Sequence, residues 1–420
     1  MTRKLDARGM EPEAFVRELR PPGGFFTEEI RNAAREIVRE VRERGDAALL
    51  EYTGRFDGVR PDPLRVPLEE IDRAVTGLLP DLRESFRVAI ENVRRFHEAE
   101  LDESWSISRN GATVGQRVRP LDRVGLYVPG GHGAYPSTLI MSAVPAQVAG
   151  VREIAVCSPP DRDGRVSEAV LAVAGLLGLD EVYAVGGAQA VAALAYGTES
   201  IPAVRKISGP GNDYVTAAKL EVFGTVGIDA PQGPSEVVVI ADEAASPERV
   251  AYDLLAQAEH LSGASAVLLT PDAGLMESVG QLLSGEPARL VTLVLVRDIS
   301  QAVELSNAYA PEHAHVLTGD AAPVTERLTA AGCVMVGDAT PVALGDYAAG
   351  PSHALPTGGT AVWASPLGTH DFTVRSSYIR YTPEALRRIG PHVARLARLE
   401  GFENHARSVE VRLRAGFEGG

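Results

Sequence analysis

The residues best suited to proton transfer in this chain are Glu312 and His313, which are adjacent and follow Pro311. An unperturbed imidazole titrates near neutral pH, and burial can bring a carboxyl group into the same range. The pair could therefore serve as general bases. The same dipeptide also occurs on exposed helices and loops that have no function, so its interpretation depends on the other candidate residues.

Gln257 and His260 are candidates for metal binding. They are three residues apart in a segment of helical periodicity, residues 254–260, and therefore lie on one helix face. An imidazole nitrogen suits Zn²⁺ well, whereas an amide oxygen is an unusual zinc ligand. A helix surface whose polar side chains are simply solvated explains the same pattern.

Three further polar residues lie late in the chain. Asp346 and His353 are seven residues apart in a glycine-rich stretch, residues 345–359, and polar side chains in such loops are often functional. Asp346 could complete a metal site, or it could stabilise a turn through its own backbone. His405 belongs to a charged C-terminal segment, where a helix cap or a surface position explains it equally well.

The segments that must position these residues alternate between short apolar strands and helices. Strands are predicted at residues 124–128, 154–157, 182–185 and 206–208, and three of the four end in glycines. This alternation is typical of βαβ units with a parallel sheet, whose ligands bind at the carboxyl ends of the strands. The dinucleotide fingerprint Gly-x-Gly-x-x-Gly is missing, because Pro136 occupies the third glycine position. Glycines that only form tight turns are an equally good explanation.

A second α/β series follows, with strands predicted at residues 237–240, 266–269, 290–296 and 333–336. The fold class predicted is therefore α/β, with two Rossmann-like domains, an N-terminal arm and a helical C-terminal tail. The expected boundaries are an arm at 1–22, a catalytic domain made of 23–123 with 233–367, a nucleotide-binding domain at 124–232 and a tail at 368–420. We expect a cleft between the two domains, and we expect Thr27 to cap the first long helix.

Composition excludes several classes of protein. The 420 residues carry a formal net charge of −15, spread along the chain, which argues against a nucleic-acid partner and favours a small substrate. The two cysteines, Cys157 and Cys333, can form neither a disulfide framework nor a thiolate metal site. No secretory signal precedes the first helix, so a cytoplasmic location is expected. The uncharged stretch 124–151 is interrupted by prolines and glycines and is not predicted to span a membrane.

The sequence resembles the histidinol dehydrogenase family from end to end. The resemblance is carried, in order, by Val124–Gly131, Val185–Gln189, Ser208–Asn212, Phe223–Asp229, Gly233–Val237, Gln257–His260, Ala310–His313, Gly345–Tyr347, His353–Thr357 and Glu400–Arg412.

The resemblance implies a zinc-dependent, NAD-linked oxidation of L-histidinol to L-histidine through histidinaldehyde, with two hydride transfers. It assigns one zinc per subunit to Gln257, His260 and Asp346, with His405 donated by the partner subunit of a homodimer. It assigns NAD to Tyr127, Gln189 and Asn212, and substrate contacts to Ser235, His353 and Glu400 together with the metal ligands and His313. It assigns the alcohol proton to His313 and the activation of water to Glu312.

Two positions depart from the usual family pattern. On a strand, His315 would share a face with His313 and could perturb the pKa of that residue. His132 replaces a smaller residue in the glycine turn beside the expected cofactor. Two alternatives stay open: a family member that oxidises another primary alcohol, and a catalytically silent α/β binding protein that keeps the fold and a structural metal.

Overall fold

The computed structural model describes residues 2–20, 26–130, 133–231, 233, 235–260 and 263–414. These residues form two compact units. The first contains the described residues up to Leu101 together with those of Leu121–Phe372, and the second contains Asp102–Pro120 with the described residues from Thr373 onward.

The strands of the described residues are β1 (Arg3–Asp6), β2 (Trp105–Arg109), β3 (Ala112–Pro120), β4 (Arg123–Tyr127), β5 (Glu153–Ser158), β6 (Val182–Ala184), β7 (Lys206–Ser208), β8 (Gly227–Ile228), β9 (Glu236–Ala241), β10 (Ser265–Thr270), β11 (Val291–Leu295), β12 (His313–Leu317), β13 (Cys333–Val336) and β14 (Thr373–Tyr381). The helices are α1 (Pro12–Leu19), α2 (Glu28–Arg44), α3 (Asp46–Phe56), α4 (Leu68–Gly77), α5 (Pro80–Ala99), α6 (Pro136–Val148), α7 (Glu168–Leu176), α8 (Gly187–Tyr196), α9 (Asp213–Val222), α10 (Pro247–Ala258), α11 (Ala273–Leu282), α12 (Ile299–Tyr309), α13 (Ala322–Arg327), α14 (Val342–Tyr347), α15 (Pro383–Leu399) and α16 (Glu403–Arg414). Among these described helices, none has the length and apolar character needed to cross a membrane.

Two parallel sheets organise the first unit. One has the strand order β6-β5-β4-β7-β8 and the other β1-β11-β10-β9-β12-β13, and every strand pairing in both is parallel. In the first sheet the chain runs from β4 outward to β6 and then returns to add β7 and β8 on the other side of β4. In the second it runs from β9 outward to β11 and then returns to add β12 and β13 on the other side of β9. The strand order therefore reverses between β4 and β7 and between β9 and β12. Such reversals are the ligand-binding points of doubly wound folds. The predicted α/β class with two Rossmann-like parallel sheets is confirmed.

Helices cover both faces of the sheet that contains β4. The apolar faces of α2 and α3 share a buried core with α8 and α9, whereas α4 and α5 share one with α6 and α7. As expected, the Thr27 hydroxyl accepts a hydrogen bond from the Ile30 backbone N–H at 3.4 Å and begins α2. Residues 28–99 therefore pack mainly on the sheet formed by residues 123–228, whereas the expected boundaries joined them to residues 233–367. Their contacts with that later segment include a hydrogen bond from the Asn92 side chain to the Ala348 backbone oxygen at 2.9 Å.

The N-terminal segment is part of the core of the first unit. The strand β1 pairs with β11 from Arg3↔Thr292 to Asp6↔Leu295, and the ring of Phe15 on α1 is fully buried against α12. The expected polar arm at 1–22 is corrected, because the few apolar side chains of this segment all face the sheet or its helical layer. Residues 21 and 22, the end of the expected arm, lie outside the described residues.

The second unit combines a sheet with a helical hairpin. Its antiparallel sheet has the order β14-β3-β2, and α15 packs against α16 around Ala394, Ala397 and Ala406. The tail expected at 368–420 is thus only partly helical, since it begins with a short 3-10 helix ending at Phe372 and the nine-residue strand β14. Residues 102–120 supply the strands that pair with it.

Candidate active site

A cleft of about 1460 Å³ lies in the first unit and is lined by the edges of both parallel sheets. From the sheet that contains β4, the lining residues follow the strands and include Tyr127, Pro129, Gly187, Gln189, Pro210 and Asn212. From the other sheet they precede or begin the strands and include Gly233, Ser235, Glu312 and His313. The carboxyl edge of one sheet and the amino edge of the other therefore share one cavity.

Glu312 and His313 lie at the amino end of β12 and are both buried. The chain reaches them through Ala310, whose left-handed backbone (φ 48°) ends α12. The Nδ1 atom of His313 lies 3.6 Å from a carboxyl oxygen of Glu312, and its Nε2 atom lies 3.6 Å from a carboxyl oxygen of Asp346. The imidazole is thus flanked by two carboxyl groups inside the cleft.

Burial dominates the ionisation of this group of side chains. It lowers the pKa of His313 to about 3, a value that already includes an opposing backbone hydrogen bond at Glu236 and the smaller lowering effects of the His353 and His260 imidazoles. It also raises the pKa of Glu312 well above the usual value and raises that of Asp346 to about 6. The imidazole of His313 is consequently neutral at pH 7, the form that can accept a proton, and is a weaker base than a free imidazole. The upward shift makes an ionised Glu312 a stronger base than a free carboxylate.

Glu312 is held by a buried network whose members are far apart in the sequence. Its carboxyl group accepts a hydrogen bond from the backbone N–H of Glu236 at 2.9 Å. The carboxyl group of Glu236 accepts hydrogen bonds from Arg20 at 2.6 Å and from the Gly358 backbone N–H at 3.1 Å. The Arg20 guanidinium also lies 4.1 Å above the ring of Tyr309. The amino end of β9, a central strand of its sheet, is therefore anchored by a charge from the N-terminal segment.

The candidate metal ligands of the first unit come from two helices and a turn. Gln257 lies in the last turn of α10 and is buried, with no hydrogen-bond partner for either its amide oxygen or its amide nitrogen. His260 follows the end of that helix and lines the cleft, and burial lowers its pKa, which favours the neutral form that binds metals. Asp346 lies in α14 and lines the same cleft.

The oxygen and nitrogen donors of these three residues suit a zinc ion. A buried polar atom without a partner costs about 1–3 kcal/mol, and a cation at the Gln257 amide oxygen would satisfy that atom. Within the residues that the structure describes, no three His, Cys, Asp or Glu side chains gather as they would around a metal ion. The first unit thus supplies one imidazole, one carboxylate and one amide oxygen, which would fill three of the four positions of a tetrahedral zinc site.

His353 is oriented by hydrogen bonds on both ring nitrogens. Its Nδ1 atom lies 2.8 Å from the backbone oxygen of Asp346, and its Nε2 atom lies 3.2 Å from the hydroxyl of Thr138. Burial lowers its pKa to about 4. The ring is therefore neutral at pH 7 and fixed beside the candidate metal ligand Asp346.

The three residues expected to bind a dinucleotide lie at the carboxyl edge of the sheet that contains β4. Tyr127 ends β4, and its hydroxyl accepts a hydrogen bond from the Gly187 backbone N–H at 3.1 Å, at the start of α8. Gln189 is buried in the same helix with both amide atoms unpartnered. Asn212 caps α9 through hydrogen bonds from two backbone N–H groups at 3.1 Å. Together they lie around the point between β4 and β7 where the strand order of this sheet reverses.

A buried ion pair fixes the glycine turn between β7 and α9. The Gly209 backbone N–H donates to Asp229 at 2.8 Å, and the Gly209 carbonyl oxygen accepts from Lys219 at 3.0 Å. Lys219 and Asp229 also pair with each other, and both are buried. At Gly209, where φ is +123°, an added Cβ atom would lie 2.1 Å from the Tyr127 carbonyl oxygen. Only glycine permits this approach of the turn to β4.

Glu400 and His405, which were expected to contact the substrate and the metal, lie in the second unit. Glu400 is the residue that ends α15, and His405 lies in α16. The imidazole of His405 stacks on the ring of Phe402, with the ring centres 5.0 Å apart. Both residues are exposed on their own unit, so the roles expected of them remain predictions.

The two departures noted in the sequence have different outcomes. His315 shares a face of β12 with His313, but its ring lies 3.0 Å from the carboxyl group of Asp253. The groups that shift the pKa of His313 do not include His315. His132 lies outside the described residues.

The model of the protein family described as "Histidinol dehydrogenase" matches residues 24–413 of this chain. The chain is 48% identical to the histidinol dehydrogenase of Geobacillus kaustophilus, covering 93% of this chain and 95% of that protein. It is 46% identical to that of Methanothermobacter thermautotrophicus, covering 90% and 92%. The crystal structure of histidinol dehydrogenase from Elizabethkingia anophelis matches with a TM-score of 0.92 and 33% identity, covering 98% of both chains.

Proposed function

Since the chain belongs to the histidinol dehydrogenase family, we propose that it oxidises L-histidinol to L-histidine in two successive NAD-linked steps during histidine biosynthesis. The observation that carries the proposal is the shared cleft. Two candidate bases, two candidate metal ligands and three candidate dinucleotide contacts all line it. At about 1460 Å³, the cleft is larger than the ~300–1,000 Å³ typical of a pocket for one small ligand, which suits a cofactor together with a substrate.

Tyr127, Gln189 and Asn212 are proposed to hold the dinucleotide. They lie at the reversal of strand order where doubly wound sheets bind nucleotides, and the amide of Gln189 lacks partners within the protein. The turn at Gly209 brings the backbone close to this point without a side chain in the way. When bound, NAD supplies the hydride acceptor for each oxidation.

Gln257, His260 and Asp346 are proposed to hold one zinc ion per subunit. The unpartnered amide of Gln257, the neutral imidazole of His260 and the carboxyl group of Asp346 offer the nitrogen and oxygen donors that such a site uses. When bound, zinc supplies a Lewis acid that suits the imidazole and amine of histidinol and orients them. Ser235 and His353 line the same cleft and are proposed as further substrate contacts.

His313 is proposed to accept the proton of the substrate hydroxyl as the hydride leaves the carbon. Its imidazole is neutral, lies in the cleft and is oriented between Glu312 and Asp346, at 3.6 Å from each. The product of this step is the aldehyde, together with a proton on the ring and one reduced cofactor. Burial of the ring excludes competing water from the site of transfer.

Glu312 is proposed to activate the water that adds to the aldehyde. Its carboxyl group accepts a proton from that water, and the hydroxide equivalent bonds to the aldehyde carbon to give the hydrate. His313 first releases its proton to solvent. Loss of a hydride from the hydrate carbon to a second NAD, and of a proton from the hydrate hydroxyl to His313, then gives the carboxylic acid. The fixed hydrogen bond from the Glu236 N–H keeps the carboxyl group of Glu312 at the amino edge of β12 for this step.

A homodimer with shared sites is the proposed assembly, and a cytoplasmic location is the proposed site of action. The second unit exposes large apolar side chains on its strands and helices, including Ile379, Leu396, Leu399 and Phe402. Leu399 is the most exposed of these four side chains, at 84%. Exposed apolar groups of this kind mark protein interfaces, and His405 lies beside them in α16. We propose that His405 and Glu400 complete the site of the partner subunit.

Mixing two inactive variants tests this sharing. Under subunit exchange, His405→Ala and His260→Ala chains are expected to recover about a quarter of wild-type activity, since half of the dimers are mixed and each has one intact site. Mixing His260→Ala with His353→Ala is the matched control. Both residues belong to the first unit, so no mixed dimer regains an intact site. Equal recovery in the two mixtures, or none despite measured exchange, would contradict a shared site.

Substrate preference tests the proposed activity against oxidation of another primary alcohol. With NAD and zinc present, kcat/KM for histidinol is expected to exceed that for amino alcohols that lack the imidazole by about a hundredfold or more. The reason is that an unfilled imidazole position leaves buried polar groups without partners. A better substrate among the other alcohols would favour the alternative family activity, and absence of NADH formation with every alcohol would favour a silent binding protein.

A further inference from the structure

The carboxyl group of Asp253 joins the elements that carry the proposed site. Asp253 is buried on α10, one helical turn before Gln257. One of its oxygens lies 3.0 Å from Nδ1 of His315 on β12. The other accepts a hydrogen bond from the backbone N–H of Val342 at 3.2 Å, at the first residue of α14.

Each of these elements carries a residue of the proposed machinery. The helix α10 ends with the candidate ligand Gln257, the strand β12 begins with the candidate base His313, and α14 contains the candidate ligand Asp346. A shift of any one element relative to the others would change the spacing of the site. Asp253 contacts all three elements but does not line the cleft.

The ring of His315 is itself fixed on its far side. Its Nε2 atom lies 3.2 Å from the backbone oxygen of Gly337, which follows β13. The ring is buried, and His315 is paired in register with Met335 of β13. Both ring nitrogens therefore lie close to oxygen atoms, which places the imidazole between the two strands and α10. The contact of Nδ1 with Asp253 is a close charge contact without hydrogen-bond geometry.

We infer that Asp253 and His315 form a positioning pair, which sets the spacing of the metal ligands and of the base without touching either ligand or substrate. This inference rests on the proposed function. It assigns to His315 a role in the geometry of the site, in place of the influence on the pKa of His313 that its position in the sequence suggested. Residues that orient metal ligands from outside the coordination shell commonly alter metal affinity by about 10–100-fold.

A pair that serves only the stability of the core would behave differently. Its loss would lower the free energy of unfolding but would leave the metal affinity of the folded protein unchanged. Val250 offers a matched comparison, because it is fully buried on the same helix in the same core and makes no polar contact. Val250→Ala loosens the packing of α10 while the contacts of Asp253 remain.

The test measures the zinc dissociation constant by chelator competition and the thermal unfolding of the metal-free protein for Asp253→Ala, Asp253→Asn and Val250→Ala. Asp253→Ala is expected to bind zinc at least about tenfold more weakly than Val250→Ala at a similar unfolding temperature. Asp253→Asn keeps an oxygen for the Val342 N–H and should lose less, so it remains informative if Asp253→Ala does not fold.

Zinc affinity in both Asp253 variants equal to that of Val250→Ala would overturn the inference. This result is distinct from failure of the proposed function. If the wild-type protein neither bound zinc nor formed NADH with histidinol, the function itself would be wrong, and with it the positioning role. In the expected case, kcat falls in the Asp253 variants even at saturating zinc, while that of Val250→Ala stays near the wild-type value.

Discussion

His313→Ala lowers kcat for histidinol oxidation by about a thousandfold, while zinc content stays at the wild-type level. The reason is that the imidazole lies in the cleft between two carboxyl groups, at 3.6 Å from each, and is neutral and ready to accept the hydroxyl proton. Without the ring, that proton has no positioned acceptor as the hydride leaves. The candidate metal ligands lie on other elements, α10, the turn after it and α14, so the zinc donors themselves remain, and only the 3.6 Å contact of Asp346 with the His313 ring is lost.

The measurement combines steady-state kinetics with metal analysis of the purified variant. His370→Ala is the matched control, because His370 is partly exposed and does not line the cleft. It should retain wild-type kcat. Loss of zinc together with activity in His313→Ala would show that His313 supports the metal site, and our separation of base from ligands would be wrong.

Glu312→Gln is expected to slow the second oxidation while the first stays fast, so that the two become separate phases in time. A glutamine oxygen can still accept the hydrogen bond that the Glu236 N–H now donates at 2.9 Å, so the backbone at this edge keeps its anchor. The amide cannot take a proton from water, and formation of the hydrate should slow by about 100–10,000-fold. The first oxidation, which uses His313, should proceed at nearly the wild-type rate.

This effect is detected by rapidly mixing the Glu312→Gln variant with histidinol and excess NAD and following the formation of NADH. One fast phase of NADH, equal to the histidinol consumed, should precede a slow second phase as the aldehyde accumulates. Glu304→Gln, which removes an exposed carboxylate from α12, should show no such separation. Equal slowing of both phases in Glu312→Gln would mean that Glu312 acts in the first step as well.

The strands and turns of both parallel sheets were accessible from the sequence because their signals are local. The runs at 124–128, 154–157 and 237–240 are continuously apolar, as strands buried on both faces must be, and the structure places β4, β5 and β9 there. Thr27 followed by two acidic residues is a local start signal for a helix, and α2 begins where it predicts.

The second unit was not accessible in this way. The strand β2 is exposed along its whole length, and β14 is exposed at most positions, so neither shows the alternation that identifies a half-buried strand.

The strand β1 of the first unit is a short, polar edge strand that depends on β11, almost 290 residues further along the chain, for its hydrogen bonds. Residues of this kind adopt strand structure because a partner strand is present, and no local pattern records that partner.

The candidate site also combines features that have a local sequence signal with features that depend on residues far apart in the chain. The individual types of Glu312, His313, Gln257 and His260 suggested chemistry, but only the family resemblance grouped them. The anchor of Glu312 escaped notice because Arg20 and Glu236 are 216 residues apart. A buried Glu at the start of an apolar strand, in need of a cation, was the one available signal.

The most direct test of the central claim, two oxidations at one site, is the count of NADH formed from limiting histidinol with NAD in excess and zinc supplied. About two NADH and one histidine per histidinol are predicted, one NADH for each hydride transferred. One NADH with released aldehyde, or none, would contradict the account.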